Sequence, residues 1–216
     1  DGGEGNNVAI GMSAMMNVNN DNADDNICIG VEAGKGGTGS LRRSIAIGTI
    51  ALDATGSNNV EGAVAIGYGS LSGVTDGHAN CAVGFLTGQN ITSGDNNTII
   101  GHLANYAGGN VHQTTAVGTS SLANATGSNN TALGYNSGDV ITSGTLNTLI
   151  GYAADPSAND ATNQTVIGSE VTGVADNSVT LGNADVTDVY MAQDKGATVH
   201  CAKVEVEGNI SAGFVG

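Results

Sequence analysis

Five rings recur at near-equal intervals in this chain. Tyr68, Phe85, His102, Tyr135 and Tyr152 each follow a glycine directly, and they include four of the seven Tyr and Phe residues present. Thr119 takes the same place between His102 and Tyr135. Rings set one repeat apart could line a strip that receives sugar rings, because aromatic faces suit the apolar faces of sugars. They could equally stack on one another at a corner or between subunits, where each pair contributes about 0.5–1.5 kcal/mol beyond burial. These five residues are the candidate receptor-binding set.

A second series, Thr98, Thr115, Thr131, Thr148 and Thr165, keeps the same interval. Period-two alternation puts it on the face of the branched aliphatics, so inward hydroxyls bonded to backbone are expected. An exposed Thr array would instead suit a flat partner such as ice. Near the N-terminus "NNDNADDN" brings Asp21, Asp24 and Asp25 together as possible oxygen ligands for calcium, but without EF-hand spacing or the calcium β-roll nonapeptide. Arg42 and Arg43 follow about one repeat later, so ion pairing across repeats explains these carboxylates equally well. No metal site and no cofactor are assigned.

Catalytic patterns are missing. His78, His102, His112 and His200 are isolated from one another, and neither GxSxG nor HExxH occurs. His200 beside Cys201 offers two ligands without a second pair. No catalytic residue is expected. Paired carboxylates of a glycan-cleaving spike would have to meet between subunits. Cys28, Cys81 and Cys201 are too scattered for a disulfide framework and read as small apolar residues, although an odd count leaves room for a bond between subunits.

The totals limit what can position these groups. Of 216 residues 35 are Gly, 1 is Pro and none is Trp, yet 39% are apolar, so a small and regular unit must bury Ala, Val, Ile and Leu. Five basic residues against 20 acidic give a net charge of −15, which opposes nucleic acid and anionic membranes. No apolar run is long enough to span a bilayer, and the N-terminus lacks signal-peptide features. The chain starts just ahead of a repeat without an initiator Met, as a piece of something longer would.

That repeat organises everything else. An aliphatic residue followed by Gly recurs eleven times, at Gly11, Gly30, Gly48, Gly67, Gly84, Gly101, Gly118, Gly134, Gly151, Gly168 and Gly182. Each copy, such as "VAIG", "TAVG" or "TLIG", reads as a short strand. Alternation is expected to turn the branched residue before Gly into the core and to leave Ala and Gly on the other face. Stretches such as "YGSLSGV" read as a second short strand, and "TGSNN" or "SGDNN" as turns. A repeat averaging about 17 residues is too short for a strand, a helix and two connections. It is one coil of an all-β parallel β-solenoid. Eleven coils about 4.8 Å apart make a rod roughly 50 Å tall. Asn recurs just before the strand at Asn7, Asn26, Asn80, Asn97, Asn130 and Asn147, as an amide ladder would require.

Repeats of this form, with "NNVAIG", "RSIAIG" and "NNTALG" as clear copies, resemble the head domain of YadA-like trimeric autotransporter adhesins over about residues 6–182. The resemblance implies a left-handed β-roll, a homotrimer and attachment rather than catalysis. The coils here are longer than the family's. The solenoid domain is set at 1–182. Residues 183–216 read as a C-terminal connector or trimerisation segment of two or three strands, with "KVEVEGNIS" alternating cleanly. That tail looks like the connector after such repeats in bacteriophage tail fibres and spikes. The expected role is therefore a segment of a homotrimeric fibre on a virion, binding a glycan or protein receptor on the host surface. A bacterial adhesin head on the outer membrane is the alternative, followed by a glycan-cleaving spike and an ice binder.

Overall fold

The computed structural model describes residues 5–18, 23–56 and 58–190. All secondary structure among them is β. Eleven three-residue strands form one parallel sheet: β1 Val8–Ile10, β2 Ile27–Ile29, β4 Ile45–Ile47, β6 Val64–Ile66, β7 Cys81–Val83, β8 Thr98–Ile100, β9 Thr115–Val117, β10 Thr131–Leu133, β11 Thr148–Ile150, β12 Thr165–Ile167 and β13 Val179–Leu181. Two shorter ones, β3 Leu41–Arg42 and β5 Val60–Glu61, pair with each other. Each strand of the large sheet lies beside the next in sequence, with equivalent residues opposed, as in Thr98↔Thr115 and Ile100↔Val117. The repeat is thus one coil of a β-solenoid.

The second strand expected in each coil is absent from most of them. After the strand the chain makes overlapping four-residue turns instead. In the fourth coil Ser70 N–H bonds to Gly67 C=O, Ser72 to Gly69 and Val74 to Leu71. Gly69 and Leu71, third in their turns, have φ of 62° and 50°, which is the type II pattern. Between these bonds the peptides point along the rod, so Gly69 N–H reaches Thr49 C=O on one side and Leu71 N–H reaches Thr87 C=O on the other. A 17-residue circuit therefore satisfies its backbone without a second full strand. Only β3, β5 and the bridges Thr145↔Thr162 and Asp155↔Thr172 add strand-like pairing.

The core face is the reverse of the one expected. The middle residue of each interior strand is buried: Cys28, Ala46, Ala65, Ala82, Ile99, Ala116, Ala132, Leu149 and Val166. The aliphatic before Gly points outward instead. The reason lies one residue ahead of the strand, where Asn is turned inward by a left-handed residue before it, such as Asn96 (φ 59°) or Asn129 (φ 63°). Alternation from an inward Asn97 makes Thr98 outward, Ile99 inward and Ile100 outward. The rest of the core comes from the turns, with Leu52, Leu71, Leu122, Ile91 and Ile141 fully buried. Three of these Leu hold φ of 49–51°, a conformation costly for a bulky residue, and their burial offsets that cost.

The Asn column forms an inner ladder in segments, interrupted at Ala63. Asn97 donates its backbone N–H and its Nδ2 to Asn80 Oδ1, at 3.1 and 2.8 Å, and Nδ2 also reaches Val111 C=O at 2.7 Å. Asn97 Oδ1 in turn accepts from Thr114 N–H at 3.0 Å. Asn147 repeats the arrangement on Asn130 and Ala161, and Asn26 on Asn7 and Leu41. Ser44, Thr114 and Gln164 take the position in three other coils.

The chain divides into two compact units, Asp1–Asp185 and Val186–Gly216. The described residues of the second, 186–190, contain no strand. The strands expected in the tail, including "KVEVEGNIS", lie outside the described residues, as does Cys201.

Candidate functional site

The glycine closing each strand sets the surface. At ten of the eleven motif glycines φ is 128–145°, which other residues rarely adopt. A methyl group at Gly101 or Gly118 would also fall on the carbonyl oxygen of the motif glycine in the next coil. The bend this permits separates two surfaces, the outward face of the sheet and the ring column immediately after it.

The sheet face carries two parallel columns. Ile10, Ile29, Ile47, Ile66, Val83, Ile100, Val117, Leu133, Ile150, Ile167 and Leu181 form one that is aliphatic throughout. The other runs Val8, Ile27, Ile45, Val64 and Cys81, then Thr98, Thr115, Thr131, Thr148 and Thr165, and ends at Val179. Burial along the strands alternates, with the flanking positions exposed or half-exposed and the centre buried, as in Thr98–Ile100 and Thr131–Leu133. The Thr series therefore faces outward, contrary to the expected inward orientation. Among the described residues its hydroxyls make no bond to backbone. Cys81, expected to fill the core, is half-exposed on this face, whereas Cys28 is buried and its thiol is pushed up to about 12 by desolvation.

Beyond the bend the candidate rings come together in two groups. Tyr68 and Phe85 stack with centroids 5.3 Å apart and planes 16° apart, and Phe85 and His102 stack at 5.4 Å and 16°. Tyr135 and Tyr152 stack at 5.6 Å and 10°. Those separations are too short for rings lying side by side in one plane, so the rings overlap face to face with an offset. Each ring turns its edge outward and its faces along the rod. The four Tyr and Phe side chains remain 45–50% exposed. Backbone bonds keep the column in register: Leu86 N–H to Tyr68 C=O, Leu103 to Phe85, Ser120 to His102, Asn136 to Thr119 and Ala153 to Tyr135.

The other candidates disperse. Arg43 pairs with Glu61 rather than with Asp24 or Asp25. Asp24 Oδ1 accepts from Gly5 N–H at 2.7 Å, and Asp25 Oδ1 from Asn6 Nδ2 at 3.1 Å, so both carboxylates are engaged with the preceding coil. Asp21 lies outside the described residues. His112 does find a partner: its Nδ1 accepts from Asp95 N–H at 3.2 Å and lies 3.6 Å from Asp95 Oδ2. His78 joins that cluster only through its backbone N–H, 2.7 Å from Asp95 Oδ1. No group of three or more His, Cys, Asp or Glu that could hold a metal occurs among the described residues. No helix long and apolar enough to cross a membrane occurs among them.

The paired outward columns escaped the sequence reading, although the Asn two residues ahead of Cys28, Ala82, Ile99, Ala132 and Leu149 carried the signal. An inward amide ladder and the strand centre must share a face, which leaves the aliphatics outside. No protein-family model, no curated protein and no solved structure matches this chain.

Proposed function

We propose that this chain is a stiff structural and receptor-binding segment of a homotrimeric attachment fibre, of the bacteriophage tail fibre or spike kind. One observation carries the reading: an unbroken aliphatic column, eleven residues deep, stands on the outside of the sheet from Ile10 to Leu181. A contiguous apolar strip of that length is the mark of an interface. Each coil adds the same small contact, so three rods packed along this face would bury the strip over its whole length, as a symmetric assembly repeats one patch on every subunit. The resemblance of the repeats to YadA-like heads supports three copies and attachment. A trimer would also present every surface group three times, giving weak receptor contacts avidity. Net negative charge would disfavour indiscriminate association of the assembled rods.

The test is the mass in solution by light scattering. We expect a value near three times 21.2 kDa, falling to that of a single chain in the double variant Ile66→Asp/Leu133→Asp, with the β signal in circular dichroism retained. A wild-type chain that stays single would overturn the reading. The outward Thr98, Thr115, Thr131, Thr148 and Thr165 favour a second one in that event, a lone solenoid whose flat face meets an ordered surface such as ice, tested by thermal hysteresis.

A further inference from the structure

The ring column has a gap one ring thick. Stacking runs from Tyr68 through Phe85 to His102, stops, and resumes from Tyr135 to Tyr152. Thr119 occupies the missing level, held there by the bonds Ser120 N–H to His102 C=O and Asn136 N–H to Thr119 C=O. Two coil steps separate His102 from Tyr135, about 10 Å along the rod, or twice the 5.3–5.6 Å between stacked rings elsewhere in the column. The face of His102 turned away from Phe85 and the face of Tyr135 turned away from Tyr152 thus look at each other across a short side chain. The other unstacked faces, those of Tyr68 and Tyr152, lie at the two ends of the column with no ring opposite.

We propose that this notch binds one pyranose ring of a neutral glycan, sandwiched between His102 and Tyr135 over Thr119. A pyranose presents axial C–H groups on its two faces, and these are the groups that the electron-rich faces of aromatic rings attract. Its hydroxyls lie around the rim and need polar partners. Thr119, Ser120 and Asn136 stand at these levels of the column, and among the described residues their two hydroxyls and the amide make no hydrogen bond. A wholly aromatic ligand would leave those groups unused. The charge of −15 disfavours an acidic sugar. The site occurs once per rod, so three copies would give one notch on each subunit. This inference rests on the attachment-fibre reading and names the receptor chemistry that the ring column would take.

The experiment is saturation-transfer NMR on the full chain with four neutral oligosaccharides, cellotetraose, maltotetraose, mannotetraose and chitotetraose, and with N-acetyltyrosinamide as an aromatic probe. At least one oligosaccharide is expected to receive transfer at its ring C–H protons. Thr119→Tyr fills the notch with the residue type that neighbouring coils use. It should weaken that binding at least tenfold, with an unchanged or higher melting temperature and an unchanged light-scattering mass. Tyr135→Ala should weaken it similarly, and Thr119→Ser should retain it. The proposal is overturned if no oligosaccharide binds, if Thr119→Tyr binds as the parent does, or if only the aromatic probe binds. The mass measurement is independent of all three, so an empty notch on a trimer would leave the fibre reading standing.

Discussion

Gly138 stands where a side chain would run into Leu149 of the following coil: a methyl group on Gly138 would lie 2.7 Å from Leu149 Cδ1 and 2.8 Å from Leu122 Cδ2. At Gly88 the same positions are approached less closely, with a methyl group 3.1 Å from Leu71 Cδ2 and 3.4 Å from Ile99 Cδ1. Where the equivalent turn position holds Leu52, Leu71 or Leu122, the next strand centre is Ala65, Ala82 or Ala132. One core volume is filled from the turn or from the following strand, and close packing does not permit both.

A double-mutant cycle tests that exchange. Leu149→Ala alone leaves a cavity and should cost about 2–5 kcal/mol. Gly138→Leu alone overpacks and should cost about 1–3 kcal/mol. Gly138→Leu with Leu149→Ala reproduces the pairing of Leu122 with Ala132 and should recover most of the loss, because Leu is already accommodated at φ near 50° in three other coils. Urea denaturation of the four proteins measures the coupling, and additive losses would refute the shared volume.

The motif glycine should tolerate nothing else. Gly118→Ala combines a φ of 137° with a methyl group set against the backbone of Gly134. The backbone strain alone is about 1–3 kcal/mol, and the clash adds to it because the obstacle is main chain. A large fall in melting temperature is expected. Loss of hydrogen-exchange protection should centre on the coils around Gly118, since solenoid stability is summed from neighbouring contacts.

Asn97→Ala removes the amide that links three coils. The Thr114 N–H and the Val111 carbonyl lose their buried partner, whereas Asn80 Oδ1 keeps the backbone N–H of residue 97. At about 1–3 kcal/mol for each of the two buried groups left unsatisfied, a loss of about 2–6 kcal/mol is expected. Asn97→Thr should be milder, because coil seven already carries Thr114 at this place. Equal losses in the two variants would argue against the ladder as a stabilising unit.

Asp155 sits at the turn position that holds Leu in other coils. Its Oδ1 is buried without a hydrogen-bond partner. Desolvation, with the nearby charge of Asp139, pushes its carboxyl up from 3.8 to about 6. The folded chain therefore keeps a proton that the unfolded chain releases, so this residue's contribution to stability is full below about pH 4 and is lost as pH rises through 6. Asp155→Asn should raise the melting temperature at pH 8 and change it little at pH 4. The effect should be modest, because the group is partly solvated. Thermal melts at the two pH values measure it, and an equal shift at both would exclude titration as the cause.

The repeat was legible because it is written in local terms. Gly in the left-handed region after the strand, Asn before it and an aliphatic triplet between them are each demanded by one coil's own backbone, and eleven recurrences give the stacking direction and register. The all-β solenoid and the amide ladder at Asn26, Asn80, Asn97, Asn130 and Asn147 follow from that grammar alone. Which side of the strand faces the core does not follow from alternation, because a period of two has two phases. Ala116 and Val117 are both apolar, and hydrophobicity favours the larger residue for the interior. The inward residue ahead of the strand and the turn decide otherwise: buried Thr114 sets Ala116 inward, and Leu122 leaves room at the following strand centre only for Ala132, so Val117 and Leu133 go outside with Thr115 and Thr131. The rings behave likewise. Their spacing is sequence information, but whether Tyr135 and Tyr152 lie flat as a strip or overlap as a stack depends on coil separation and side-chain direction, and those exist only once one coil rests on the next.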